Sequence, residues 1–241
     1  MTAPQTNNDS DLRGLMFSIA YRMTGSVAEA EDLVQEAFFR LERARRDGVV
    51  VESPKAYAAA ATTRLAIDHM RSARVRREAY VGTWLPEPIV TDLHPSPESP
   101  EQMAELSDSL SMAFLAAARG GDLDQLVDLL AADAVMCGDG GGKASAVRQA
   151  LHGRDVIAGF IISLFKRAVP LGATAEPVRV NGGPGIMLRD AQHKVVSVLS
   201  LEVADGVIQT LRGVVNPDKL QHLGPVSDLA RIPRPQQGTS A

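Results

Sequence analysis

The chain has 241 residues, 45% hydrophobic and 22% charged, with a formal net charge of −4. That composition supports a packed core and excludes a wholly disordered chain, while the length falls between one large domain and two small ones. The acidic balance argues against whole-surface binding to nucleic acid, and one cysteine with five scattered histidines excludes an internal disulfide and leaves no metal-ligand spacing. No cofactor is expected.

The first element is a helix over 12–24, with Leu15, Met16, Ile19, Ala20 and Met23 on one face and Gly25 at its end. The tetrad SVAE at 26–29 has the capping-box pattern, in which serine and glutamate reciprocally satisfy free amides at a new helix start. In the second helix Leu33, Val34, Ala37, Phe38 and Leu41 share one arc, and Asp32, Gln35, Glu36, Phe39 and Arg43 share the other. Phe39 therefore projects from a carboxylate-rich polar face, either as a partner contact or as a scattered surface aromatic. A non-helical stretch is expected over 45–52, then Ser53 as cap and Pro54 at the first position of a third helix reaching Arg77.

Basic residues concentrate in these helices, at Arg40, Arg43, Arg45 and Arg46 and again at Arg64, Arg71, Arg74, Arg76 and Arg77. Tyr57, Arg64, Asp68 and Arg71 fall on one stripe of the third helix. An aromatic ring with guanidinium groups on a rigid surface suits base stacking and phosphate contact. The same stripe also reads as a solvated face of Arg64–Asp68 and Asp68–Arg71 pairs, each worth about 0.3–0.5 kcal/mol.

The runs DLVQEAFFRL at 32–41 and RLAIDHMRSARVRR at 64–77, with Tyr57 between them, resemble domain 2 of bacterial extracytoplasmic-function sigma factors over 12–78. The resemblance implies that Asp32, Gln35, Glu36, Phe39 and Arg43 bind the clamp helices of core RNA polymerase. It further implies that 45–54 and the start of the third helix, through Arg45, Arg46, Tyr57 and Arg64, capture an unstacked base of the minus-ten promoter element, with Arg71, Arg74, Arg76 and Arg77 on phosphates. Tyr57 stands where the family commonly has tryptophan, and Arg64 where it often has asparagine. Extruding a base costs a few kcal/mol and stacking returns about 1–3 kcal/mol per base, so phosphate contacts must help offset the rest and binding should be salt-sensitive.

The segment YVGTWLPEP at 80–88 resembles the linker start of SigJ-like sigma factors, the subgroup with a SnoaL-like C-terminal extension, and Trp84 reads as an anchor for an extended linker. Residues 91–102, rich in proline, serine and acid, read as flexible linker. In this subgroup a second DNA-binding domain, sigma domain 4, should begin near 106–115. Here ELSDSLSMAF at 105–114 resembles its first helix, but LAAARGGDL at 115–123 already resembles the opening of the SnoaL-like domain. The module that would read the minus-thirty-five element is thus expected to be missing, with a fusion point near Phe114.

Beyond that point an amphipathic helix with Leu123, Leu126, Val127, Leu129 and Leu130 is capped by Asp122, and a second covers 156–165 from a start near Gly153. Strands are expected at 178–181, 185–189, 194–203 and 207–214, the last two joined by a tight Asp205–Gly206 hairpin. Helices followed by antiparallel strands support an α+β class for this part, and the resemblance implies a multidomain protein, an all-α sigma domain 2 followed by an α+β SnoaL/NTF2-like cone. The expected organisation is sigma domain 2 over 1–80, linker and domain 4 remnant over 81–112, the SnoaL-like domain over 113–224, and a disordered tail over 225–241.

DGGGK at 139–143 lacks the glycine and the Ser/Thr of a phosphate loop, since Cys137 and Ala144 hold those places. With NPDKL at 216–220 it resembles the signatures of the SigJ-like extension, which makes Asp139, Lys143, Asn216, Asp218, Lys219 and Trp84 candidate interdomain regulatory residues. Relatives of the cone include isomerases with a carboxylate in an apolar cavity, for which Asp133, His152 and Asp155 are available, but no spacing pairs them. The chain is read as a non-enzymatic, cytoplasmic sigma factor with core RNA polymerase and promoter DNA as partners, no membrane association, and no dedicated anti-sigma factor. An initiation-defective polymerase competitor and a small-molecule-binding or isomerase domain are the alternatives.

Overall fold

In the computed structural model residues 5–78, 80–91, 101–147 and 149–228 are described, with side chains described except at 5–8, 73–78 and 101–108. The chain divides into two units, 1–80 and 81–241.

The first unit is three helices, α1 (Gln5–Thr24), α2 (Val27–Arg46) and α3 (Pro54–Glu78). Gly25 takes a φ of 68°, a left-handed value that stops α1. Ser26 caps α2 by accepting from the Glu29 amide at 3.3 Å. The expected capping box closes only halfway. The Ser26 amide donates to the Thr24 hydroxyl instead, at 3.3 Å, and the Glu29 carboxylate meets His69 of α3 at 3.0 Å. The Glu29–His69 approach brings α2 and α3 together at this point. Ser53 caps α3 through the Ala56 amide at 3.2 Å, as the Ser-Pro signal implies. The helix α2 runs two residues into the stretch expected to be non-helical, ending at Arg46. Ala30, Leu33, Val34, Ala37 and Leu41 of α2 are buried with Leu12, Met16 and Ala20 of α1 and Ala58, Leu65 and Ala66 of α3. Alanines at these positions let the helix axes approach closely.

The second unit comprises β1 (Val90–Thr91), α4 (Glu101–Gly120), α5 (Leu123–Asp128), β2 (Leu130–Asp139), β3 (Leu151–His152), α6 (Arg154–Ala168), β4 (Thr174–Val180), β5 (Gly183–Arg189), β6 (Val195–Ala204) and β7 (Val207–Val214). These strands form one sheet in the order β1-β4-β5-β6-β7-β2-β3, antiparallel except for the parallel β2–β7 pair. One sheet face, through Ile186, Leu188, Val196 and Leu199, packs under the helices with Phe114, Leu126, Ile157, Ile161 and Phe165. The opposite face carries a smaller cluster of Val178, Val180, Met187, Val198 and Val214, joined by Leu85 and Leu220 from outside the sheet.

This is the expected α+β architecture, with corrections in detail. The helix expected to include Leu129 and Leu130 stops at Asp128, and β2 starts at Leu130. That strand escapes sequence patterning because its register shifts between Leu130 and Val135, which breaks the two-residue alternation. The Asp205–Gly206 hairpin is present, with φ values of 53° and 76°. Helix α4 is continuous through the expected fusion point, and Leu110, Ser111, Phe114 and Leu115 are all buried in the second unit. Pro225 and Ser227, placed by sequence in a disordered tail, bond to the two backbone groups of Val195 at 2.8 and 2.9 Å. The start of β6 extends past the end of β7 and leaves those groups for the chain end to satisfy. Residues 229–241 lie outside the described residues.

Candidate functional sites

On α2 the polar arc is exposed at Asp32, Gln35, Glu36, Phe39 and Arg43. Phe39 is 62% exposed, while Leu41 on the opposite arc is 0%. Glu36 holds Arg40 at 2.8 Å and Arg43 faces Asp47 at 3.7 Å, pairs between exposed side chains worth little individually. The net result is an aromatic ring standing in water among charges that one turn of helix keeps in fixed order.

The second candidate surface starts where α2 ends. Arg45 pairs with Glu42 at 2.6 Å, and Arg46, Arg64 and Arg71 are exposed, the last 3.8 Å from Asp68. Arg74, Arg76 and Arg77 continue α3, but their side chains lie outside the described residues. Tyr57, the expected stacking ring, is half-buried and packs against the first unit's core. The most exposed apolar groups here are Val49 at 54% and Val50 at 86%, on the turn between α2 and α3. Sequence reasoning passed over them. The signal was three valines in a row at 49–51, between a Gly turn and a Ser-Pro cap.

The third site gathers the residues that the two glycine- and proline-containing motifs supplied. Asp139 ends β2, and its carbonyl accepts from the Val215 and Asn216 amides at 2.9 and 3.0 Å, which joins the two motifs at the backbone. Its carboxylate is fully buried. One oxygen accepts from the Gly141 amide at 3.1 Å, and the other accepts from the Leu85 amide and the Lys219 ammonium, both at 2.8 Å. Lys219 also donates to the Leu85 carbonyl and lies 4.1 Å from the centroid of the Trp84 ring. Asn216 caps the turn at Pro217–Lys219 by accepting from the Asp218 amide at 3.1 Å. Lys143 reaches Asp218 at 2.6 Å on the surface.

Around this ion pair the linker is fastened as a strap. Pro88 offers its carbonyl to His222 at 2.8 Å, Ile89 exchanges two hydrogen bonds with Asn181 at 2.8 and 3.0 Å, and β1 pairs with β4. Burying an isolated carboxylate and ammonium costs several kcal/mol per ion, so such a pair persists only when its remaining lone pairs and protons are also bound. The Leu85 backbone, Gly141 and the Trp84 ring meet that requirement. The carboxylate–ammonium pair thus recognises backbone of an extended segment on both its donor and its acceptor.

Asp133, His152 and Asp155, the residues available for acid/base chemistry, are each exposed. Among the described residues no cluster of His, Cys, Asp or Glu could hold a metal ion, and no helix is long and apolar enough to cross a membrane.

The model of sigma-70 region 2 matches residues 10–76. The extracytoplasmic-function RNA polymerase sigma factor SigJ of Mycobacterium tuberculosis is 29% identical over an alignment covering 86% of this chain and 90% of that protein. The alignment runs to 288 positions against 241 residues, so at least 47 positions of it have no residue here. The probable sigma factor SigI of the same organism is 34% identical over 107 residues, 43% of this chain and 34% of that protein. The crystal structure of the M. tuberculosis SigJ superposes with a TM-score of 0.69 at 26% identity, covering 90% of this chain and 98% of that one.

Proposed function

We propose that this chain, a SigJ homologue carrying a sigma-70 region 2 and a SnoaL-like α+β domain, binds core RNA polymerase through the exposed arc of α2 and minus-ten promoter DNA through the 45–54 turn and α3. The observation that carries this is Phe39, 62% exposed on a helix whose other face buries Ala30, Leu33, Val34, Ala37 and Leu41. Aromatic residues ringed by polar groups are the anchors of protein interfaces. On the DNA side the exposed cations Arg46, Arg64 and Arg71 supply phosphate contacts, and Val49 and Val50 supply the apolar surface on which an extruded base can rest. The second unit acts as the fused regulator by holding the linker strap through Asp139 and Lys219, with Trp84, Lys143, Asn216 and Asp218 completing the clasp.

Reconstitution with core polymerase tests the reading. The chain should form a complex that Phe39→Ala weakens at least tenfold. An absent complex, or one indifferent to that substitution, would overturn it.

A second reading is favoured by the alignment positions, at least 47 in all, that have no residue here and by the continuity of α4 into the second unit. Without sigma domain 4 the chain would occupy the polymerase clamp and compete with complete sigma factors. Transcription from an extended minus-ten promoter separates the two, because a competitor binds polymerase and gives no transcript.

A further inference from the structure

We propose that the groove between the linker strap and the outer face of the sheet is a binding pocket for a compact, uncharged and largely apolar molecule. On the helix-covered face of the sheet Phe114, Leu126, Ile157, Ile161 and Leu211 are each 1% exposed or less, so the side chains there are closely packed. The groove lies on the opposite face, with a volume of about 550 Å³, within the range that small-molecule sites occupy. Pro86 and Pro88 of the strap form one wall and Val180, Val198 and Val214 of the sheet another, while Gly183 and Ser200, with little or no side chain, leave room between them.

The polar groups of the strap wall are already used. The Leu85 amide donates to Asp139, the Leu85 carbonyl accepts from Lys219 and the Pro88 carbonyl from His222, and Pro86 and Pro88 have no N–H to offer. The charges are used as well. Glu202 and Arg212 pair with each other at 2.7 Å, and Arg179 in the lining and Glu87 between the two wall prolines are each engaged within the protein. Among the described residues at the groove, two cations are thus matched by two anions and none of the four is free. A charged ligand would give up hydration there with no unpaired group to receive it, which costs far more than burying a neutral one. The surface that remains is mainly aliphatic, with one polar point in the Ser200 hydroxyl, whose contact with the Arg212 carbonyl is a long 3.5 Å.

Occupancy has a consequence for the strap, which rests on the reading of the second unit as its clasp. Pro86 and Pro88 line the groove only while Leu85 is gripped by Asp139 and Lys219, so a molecule that touches them stabilises the strap-docked state by its differential affinity. Trp84, the one tryptophan of the chain, lies on Lys219 and reports that state.

The test titrates the full chain with the bridgehead alcohol, carboxylate and amine of adamantane, a rigid apolar cage whose head group cannot reach far from it. Heat, Trp84 emission and hydrogen exchange at the Leu85 amide are followed. The alcohol should bind at one per chain, at least tenfold tighter than either ion, change Trp84 emission with the same midpoint and slow Leu85 exchange. Ser200→Leu, which fills the groove, should weaken the alcohol at least tenfold. Glu202→Gln, which frees Arg212, should leave the alcohol within about twofold and tighten the carboxylate at least fivefold. Far-ultraviolet circular dichroism verifies that each variant is folded. Equal binding of alcohol and carboxylate, no binding of the alcohol, or binding indifferent to Ser200→Leu would overturn the pocket. A carboxylate affinity unchanged by Glu202→Gln would overturn the role of the paired charges, and heat without slowed Leu85 exchange would overturn the coupling to the strap. Polymerase enters none of these readouts, so failure here is distinct from failure of the sigma-factor reading.

Discussion

Asp139 and Lys219 lie 80 residues apart in the chain and form a 2.8 Å ion pair, their side chains 0% and 7% exposed, that closes over the backbone of Leu85 from both sides. Removing one partner leaves the other buried and unpaired, so Lys219→Ala or Asp139→Ala should each cost about 3–5 kcal/mol. The double variant Asp139→Ala/Lys219→Ala should cost less than the sum, because it leaves no orphaned charge. Urea unfolding followed by Trp84 emission measures all three. Additive losses would show that the two side chains do not act as a pair.

Gly142 sits at a φ of +71°, and a Cβ there would stand 3.2 Å from the Cβ of Val81. Gly142→Ala should therefore destabilise the second unit by about 1–2 kcal/mol, the cost of a left-handed conformation for a residue with a side chain. It should also raise hydrogen exchange at the Leu85 amide, which bonds to Asp139 next to that loop. An unchanged Leu85 exchange rate would detach the glycine loop from strap docking.

The two arcs of α2 should separate stability from binding. Leu41→Ala, at a fully buried position, should cost about 2–5 kcal/mol in urea unfolding. Phe39→Ala, at an exposed one, should stay within about 0.5 kcal/mol of the parent. A large loss for Phe39→Ala would make its ring part of the fold and remove it as a partner contact.

Asp190 has its carboxyl held below the ordinary carboxylate range, first by the Ser227 hydroxyl, which donates to it at 2.6 Å, and further by the Lys194 and Gln192 amides, with burial opposing. A depressed folded-state value means that the stabilisation is complete above the unfolded value of about 3.9 and disappears as pH falls through the folded value. Ser227→Ala should thus lower the urea midpoint at pH 6 and shrink that difference steadily below pH 4. The group is largely solvated, so the effect should be small and reduced by salt. A difference that persists unchanged in strong acid would assign the effect to Ser227 packing and not to Asp190.

DNA binding should carry the signature of phosphate contact. Arg64→Ala and Arg71→Ala should each reduce the slope of log K against log salt by about one unit. Val50→Asp should weaken binding to single-stranded minus-ten DNA without altering unfolding, since Val50 is 86% exposed. Slopes unchanged by both arginine substitutions would remove α3 from the DNA contact.

What could be read in the chain alone was local. The two faces of α2, the Ser26, Ser53 and Asp122 caps and the Asp205–Gly206 hairpin each depend on groups within four residues of one another, where helical periodicity and backbone sterics act directly. Motif resemblance also grouped Trp84, Asp139, Asn216 and Lys219, without a reason for their meeting.

Tertiary structure decided which distant groups meet. It packed Tyr57 half-buried against the core, left Val49 and Val50 exposed, brought Glu29 to His69 of α3, and set β2 parallel to β7. Above all it buried Asp139 against Lys219 around Leu85. A carboxylate and an ammonium in water attract one another by about 1 kcal/mol at contact, and only exclusion of solvent by the surrounding fold makes their pairing strong. No spacing in the sequence encodes that exclusion, because it arises when strap, β2 and the turn after β7 close on one another.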